Sequence, residues 1–421
     1  MRKLFYNGDI LTMESPQPAG AVLTEGGRIL AVGDLQVLGR MAGRQTELID
    51  LGGGALLPGF CVGDGDFLAA VRACLAERET ASEQGRWGWR GTARAGTREL
   101  RAAVGTAAER YASRGITLLH QREITAEQWR LLAHSGLPMP LMAAADVEAY
   151  EEVKRAAAGG REGMYLCGMS LTLDALAESA EPTGETAYSD RAVSYALRMA
   201  AAEGAQMTVR AASGAAIAQF LRVMRAMVRV CPELYATRPV LLDARALSPT
   251  EMEQVCHLGV IPCYAADVIS RQGDDHLHTL GMERAARLTP FASTKQAGVP
   301  YLLADGTSNG IPSPLNLLCA AVTRQTARGV VLGAAECASV YDALRALTVH
   351  GAWRYHAERA FGSIRAGMRA DLVWLNRDPL AVPSGELGEI RVCGTFCAGE
   401  PMWLAQNHEF STRSDRVLTV Y

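Results

Sequence analysis

Between residues 55 and 306, eight short apolar runs alternate with longer stretches of helical character. The runs are ALLPGFCV, GITLLHQ, PLMAAAD, GMYLCGM, QMTVRAA, PVLLDAR, VIPCYAA and PYLLADG. Segments such as SDRAVSYALRMAAAEG and SGAAIAQFLRVMRAMVRV separate them and carry apolar residues at helical spacing. Buried strands followed by helices, repeated eight times, predict an α/β chain built as a (β/α)8, or TIM, barrel. A length of 421 residues, with 49% apolar and 21% charged side chains, leaves room for that barrel and one smaller unit.

The two ends of the chain have a different pattern. The first fifty residues read as short strands joined by tight turns, with EGGR linking AVLT to ILAVG as a hairpin. The last fifty resume it in ADLVWL, EIRVCGTF and GEPMWL. The expected organisation is a composite β-sandwich from residues 1–56 and 357–421 around a barrel of residues 57–356.

Several partner classes find no support. Forty-two Lys and Arg against forty-five Asp and Glu leave a net charge of −3, so no nucleic-acid partner is expected. MRKLFYNGDILTME lacks the apolar core of a signal peptide, and no apolar run is long enough to span a bilayer. The ten cysteines are scattered through apolar segments, and Cys393 and Cys397 have no second pair to complete a zinc set. Buried, reduced thiols in the cytoplasm are the expected reading.

Barrels of this kind place their chemistry at the C-terminal ends of the strands. Asp64 and Asp66 follow the first run, two residues apart, so an extended chain would point both to one side. Gln121 and Asp146 end the second and third runs. Arg210 lies on the fifth, Asp243 and Arg245 on the sixth, and Asp305 on the eighth. Polar residues converging from several strands predict a binding mouth, present or former.

The chain also resembles the amidohydrolase superfamily, in the branch of the N-substituted formamide deformylases. NGDILT, EGGRILAVG, LLPGF, GITLLH, LGMERA, QAGVPYLLADG and FGSIRAGMRADLVWLNRDPL carry the resemblance, in order along nearly the whole chain. It implies a barrel in which one or two divalent metals polarise water for attack on a C–N bond. The implied ligands are His-x-His after strand 1, a carboxylated Lys on strand 4, a His on each of strands 5 and 6, and an Asp on strand 8.

Each of those positions departs here. Phe60-Cys61-Val62-Gly63-Asp64-Gly65-Asp66 stands for F-x-D-x-H-x-H, and VRAASG for VHAIGD, so Arg210 replaces the strand 5 histidine. LDA replaces EHA and puts Asp243 at the strand 6 histidine. ADG replaces GSD, leaving Gly306 at the aspartate position with Asp305 one residue early. The strand 4 lysine falls near Tyr165, and lysine occurs only at Lys3, Lys154 and Lys295.

Imidazole gives zinc-type sites their affinity, and a guanidinium repels the cation it displaces. Arg210 is therefore expected to pair with Asp64, Asp66 or Asp243, with Arg245 serving similarly. Three functional readings follow. In the first, the metal site is lost, no cofactor is needed, and the mouth binds a small molecule or serves assembly, with a homo-oligomer allowed by the family. In the second, Asp64, Asp66, Asp243 and Asp305 hold a divalent metal, Mg2+ or Ca2+, through oxygen ligands. In the third, catalysis is metal-free, with an Asp of raised pKa as acid or base and Arg210 stabilising an anion.

Weaker candidates are His276 and His278 in DDHLHTL, read as an exposed loop, and His120, read as a structural residue at the mouth. Trp87 and Trp89 in GRWGWRGTARAGT suggest either a lid or a subunit contact.

Overall fold

The computed structural model of the chain describes residues 1–80, 97–174, 185–306 and 310–406. The Trp87 and Trp89 segment lies outside the described residues. The chain opens with β1 (Arg2–Tyr6), β2 (Asp9–Ile10), β3 (Ala21–Glu25), β4 (Arg28–Gly33), β5 (Glu47–Asp50) and β6 (Ala55–Pro58). Seven strands follow, separated by helices: β7 (Leu119–Gln121), β8 (Leu141–Asp146), β9 (Met164–Thr172), β10 (Gln206–Arg210), β11 (Val240–Leu242), β12 (Ile261–Ala265) and β13 (Leu302–Ala304). The chain closes with β14 (Leu372–Leu375), β15 (Val392–Cys397) and β16 (Glu400–Leu404).

Strands β7 to β13 form one curled sheet, each strand parallel to the next in sequence, so the fold is mixed α/β around a half-barrel. Period-2 alternation sorts its side chains. Val240, Leu242, Ile261, Cys263, Leu302 and Ala304 are buried together on one face, while Leu241, Tyr264 and Leu303 join the large core shared with the helices. Helix starts follow local chemistry. Ser189 and Ser213 cap the helices Asp190–Glu203 and Gly214–Met227 with side-chain oxygens on backbone N–H groups. The first of these helices ends on Gly204 in the left-handed conformation.

The first apolar run behaves differently from the other seven. Its front half, β6, pairs with β14 and β2 in a five-stranded sheet made from both chain ends, ordered β16-β15-β14-β6-β2. Pro58, without an N–H, ends that strand. Residues 60–63 then meet the curled sheet through single contacts. Phe60 bridges Ile116 on one side, and the Gly63 N–H donates to Leu303 O at 2.7 Å on the other. Gly63 is required there, because a Cβ would lie 2.7 Å from Cys263 Sγ and 2.8 Å from Leu302 Cβ. A second terminal sheet has the order β4-β3-β1-β5.

DDHLHTL lies inside the helix Asp267–Ala285, which corrects its reading as a loop. No proline interrupts the chain from Pro262 to Pro290, so the polar residues are carried on a solvated helical face. Among the described residues no helix is long and apolar enough to cross a membrane.

Candidate functional site

Asp64 leaves the bridging segment 60–63 and is 4% exposed, surrounded by groups from three other elements. Arg122 Nη2, just after β7, stands 2.6 Å from its Oδ2, and Arg210 Nη2, the last residue of β10, stands 3.2 Å from the same oxygen. His120 Nε2 is 3.4 Å from Oδ1. Burial alone would raise the Asp64 pKa. Arg122 first, then His120 and Arg210, overcome it and hold the carboxyl below the usual carboxylate range.

The arginine continues the chain of charges. Arg210 Nη1 lies 3.5 Å from Asp243 Oδ2, and Arg245 Nη2 lies 3.2 Å from Asp243 Oδ1. Asp243 follows β11 with φ 64, a left-handed conformation that few non-glycine residues adopt, and that backbone turn aims its carboxylate between two guanidiniums. The series Arg122–Asp64–Arg210–Asp243–Arg245 alternates in sign and begins and ends on a cation.

Beneath Asp64 lies a second buried network that sequence reasoning missed. The Tyr355 hydroxyl is hydrogen-bonded to His120 Nδ1, and the rings stack at 5.9 Å. An ionised Asp64 accepts from Nε2–H, so Nδ1 is the acceptor and Tyr355 the donor. Burial chiefly, then Arg354, lowers the His120 pKa, although the Asp64 hydrogen bond opposes the shift. Arg354 is 1% exposed, donates to Gly63 O, Gln206 Oε1 and Thr208 Oγ1, and lies 4.5 Å over the Tyr355 ring. No short motif marks these partners; a single His at a strand end was the only signal.

The remaining expected site residues lie elsewhere. Asp66 does not face Asp64: its Oδ1 accepts the Ala69 N–H at 2.9 Å, capping the helix Phe67–Thr80, and Arg72 pairs with it at 3.2 Å. The chain turns at Gly65 into that helix, so the strand alternation stops before Asp66. Tyr165 is at the start of β9 and 46% exposed. Ser170 and Thr172, further along the same strand, are the residues that reach the site. Asp305 belongs with Asp267, whose Oδ1 accepts the Gly306 N–H at 2.7 Å while Arg271 Nε donates to its Oδ2 at 2.6 Å. Burial, then the Asp305 charge among other causes, raises the Asp267 pKa against those contacts. Gln121 and Asp146 are occupied structurally, on the Leu68 and Glu148 N–H groups.

Between Asp64, Arg122, Ser170, Thr172 and Arg210 is a cavity of about 20 Å³, room for a single water. Ser170 Oγ and Arg122 Nε are buried there without a protein partner. Among the described residues no group of three or more His, Cys, Asp or Glu side chains is arranged to hold a metal ion.

The sequence pattern of the amidohydrolase family matches residues 77–402. The chain belongs to the amidohydrolase family. An N-substituted formamide deformylase of Arthrobacter pascens is 37% identical over 113 residues, 27% of this chain and 21% of that relative, so the match spans about a fifth of the relative's length. An uncharacterized metal-dependent hydrolase of Pyrococcus furiosus has the same fold, with a TM-score of 0.73 at 16% identity over 90% of this chain and 100% of that one. A Xanthomonas campestris adenosine deaminase with bound zinc has a TM-score of 0.66 at 15% identity over 95% and 92%. In this amidohydrolase, Arg210 and Asp243 meet as an ion pair at the ends of neighbouring strands.

Proposed function

We propose that this protein is an amidohydrolase that has given up the family's metal-dependent C–N hydrolysis, its mouth closed by ion pairs where relatives hold a metal. The observation that carries this reading is Arg210, which touches both Asp64 and Asp243. A guanidinium stays charged, offers no lone pair to a metal and repels one electrostatically. Asp64 and Asp243 are already neutralised by it, and His120 turns an N–H, not a lone pair, toward Asp64. This donor set does not fit a divalent ion.

The oxygen-ligand alternative needs Asp64, Asp66, Asp243 and Asp305 around one ion, whereas Asp66 caps a helix and Asp305 neighbours Asp267. The metal-free alternative needs a carboxyl that titrates near neutrality; the depressed Asp64 is a weak acid–base catalyst at pH 7. In the same reading, β7 to β13 and residues 60–63 form an eight-membered barrel, bounded at 57–356. The terminal sheets form its β-sandwich, and the ten free cysteines suit the cytoplasm.

The test is turnover. Purified protein is incubated with N-substituted formamides, with and without added zinc or manganese. The expected result is release no faster than in buffer with either metal. Metal-dependent release that Asp64→Asn abolishes contradicts the proposal.

A further inference from the structure

The mouth has space for about one water, but a cavity of about 670 Å³ opens beside it. Its wall begins at Ala246 and Leu247, immediately after Arg245. The helix Pro249–His257 supplies Met252 on one side, and Leu280 and Leu288 face it from the other. Small-molecule ligands occupy cavities of about 300–1,000 Å³ with mainly apolar walls and a few polar groups.

The wall is held in place by unusual means. Thr289, between the lining residues Leu288 and Pro290, has φ 49, a left-handed conformation that a β-branched residue adopts only under constraint. The constraint is Arg324, which is 0% exposed. Its Nη1 donates to Thr289 O at 2.8 Å and Oγ1 at 3.0 Å, its Nη2 to Leu288 O at 2.9 Å and Ala286 O at 3.2 Å, and its Nε to Leu332 O. Thr289 N–H in turn donates to Arg245 O at 2.8 Å, tying the wall to the mouth. Across the cavity, the Ser293 N–H donates to Glu336 at 3.0 Å and fixes the helix Phe291–Gln296. A guanidinium desolvated to hold one short loop is a costly device, and backbone strain of this kind collects at ligand sites.

The charged groups on the rim indicate what the cavity takes. Glu336 is occupied by Ser293, and Arg287 meets Glu283 in an exposed pair. Arg284, by contrast, lines the cavity with no side-chain partner among the described residues. Glu253, on the facing helix, also has none, and it repels an anion from that end.

We propose that this cavity binds an apolar small molecule carrying one anionic group, with its apolar part against Leu247, Met252 and Leu288 and its anion on Arg284. The binding function then lies beside the closed mouth, not within it, and stands whether or not the mouth holds a metal.

The test is fluorescence titration of the full chain with 8-anilinonaphthalene-1-sulfonate, followed by displacement with decanoate and with decanol. The expected result is saturable binding at one site, displaced by both. Arg284→Gln should weaken decanoate about tenfold, the loss of one charge-assisted contact, and leave decanol unchanged. Met252→Trp, or Ala297→Phe should the first variant unfold, should obstruct the apolar wall and weaken decanoate and decanol alike with the thermal midpoint retained. Absence of saturable binding overturns the proposal, as does equal displacement by decanoate from wild type and Arg284→Gln. Sedimentation showing an oligomer that either wall variant dissociates also overturns it, because a second copy then covers the face.

Discussion

Arg210 and Asp64, 146 residues apart in the chain, lie 3.2 Å from each other in the mouth. The pair joins the end of β10 to the segment that links both edges of the curled sheet. One guanidinium thereby satisfies a deeply buried carboxylate and continues on to Asp243. Such a carboxylate is tolerated only with its charge matched and its oxygens bonded.

Asp64 and Asp66 therefore have unequal roles despite their spacing. Asp64→Ala removes the partner of Arg122, Arg210 and His120 and is expected to cost about 3 kcal/mol. Asp66→Ala removes a helix cap and a half-exposed ion pair, about 1 kcal/mol. Urea unfolding monitored by circular dichroism ranks the two; an equal cost contradicts their separation.

Stability should fall on the acid side. Burial chiefly, with Arg345 and Lys295 adding, pushes the His350 pKa down to about 4, and His120 is lowered mainly by burial. For a base with a lowered folded pKa, the unfolded chain takes up the proton first. The contribution is thus complete above about 6.5 and is lost as pH falls toward 4. Asp64, depressed in the fold, contributes fully above about 3.9 and loses its share below that. Melting midpoints between pH 7 and 4 should decline, with a shallower slope in His350→Gln; parallel slopes contradict the assignment.

Asp64 fixes the tautomer of His120, and Tyr355 donates to the ring nitrogen left without a proton. In Tyr355→Phe the Nδ1 acceptor loses its donor, at a cost of about 1 kcal/mol. Nitrogen-15 spectra of labelled histidine should show Nε2–H in wild type, retained in the variant because Asp64 still accepts from it. A wild-type Nδ1–H signal for His120 refutes the Tyr355-to-Asp64 direction of the network.

Arg324 has a structural role of similar weight. Arg324→Met strands the carbonyls of Ala286, Leu288, Thr289 and Leu332 and is expected to cost about 3 kcal/mol. Hydrogen exchange should locate the opening at residues 286–293; uniform destabilisation argues against a local clamp.

Much of this was legible in the sequence because apolar alternation records burial directly. Seven of the eight apolar runs fall on the parallel strands β7 to β13. The first run differs from the rest because Pro58 and Gly59 divide one apolar stretch between two sheets, which composition does not register. Arg210, Asp243 and Arg245 come together as their strand-end positions suggest. Tyr165 does not, because position along the nine-residue β9 depends on a register shift at Ala143 and Ala144 that no pattern announces. Partners such as His120 and Tyr355, 235 residues apart, are joined only by tertiary folding.

Metal content decides between a substituted and a working site. Protein purified without chelator, exposed to zinc and dialysed, is analysed by elemental mass spectrometry beside Asp64→Asn. Arginine in place of the metal predicts far less than one equivalent of any divalent ion in both proteins. One equivalent in wild type, lost in Asp64→Asn, contradicts it.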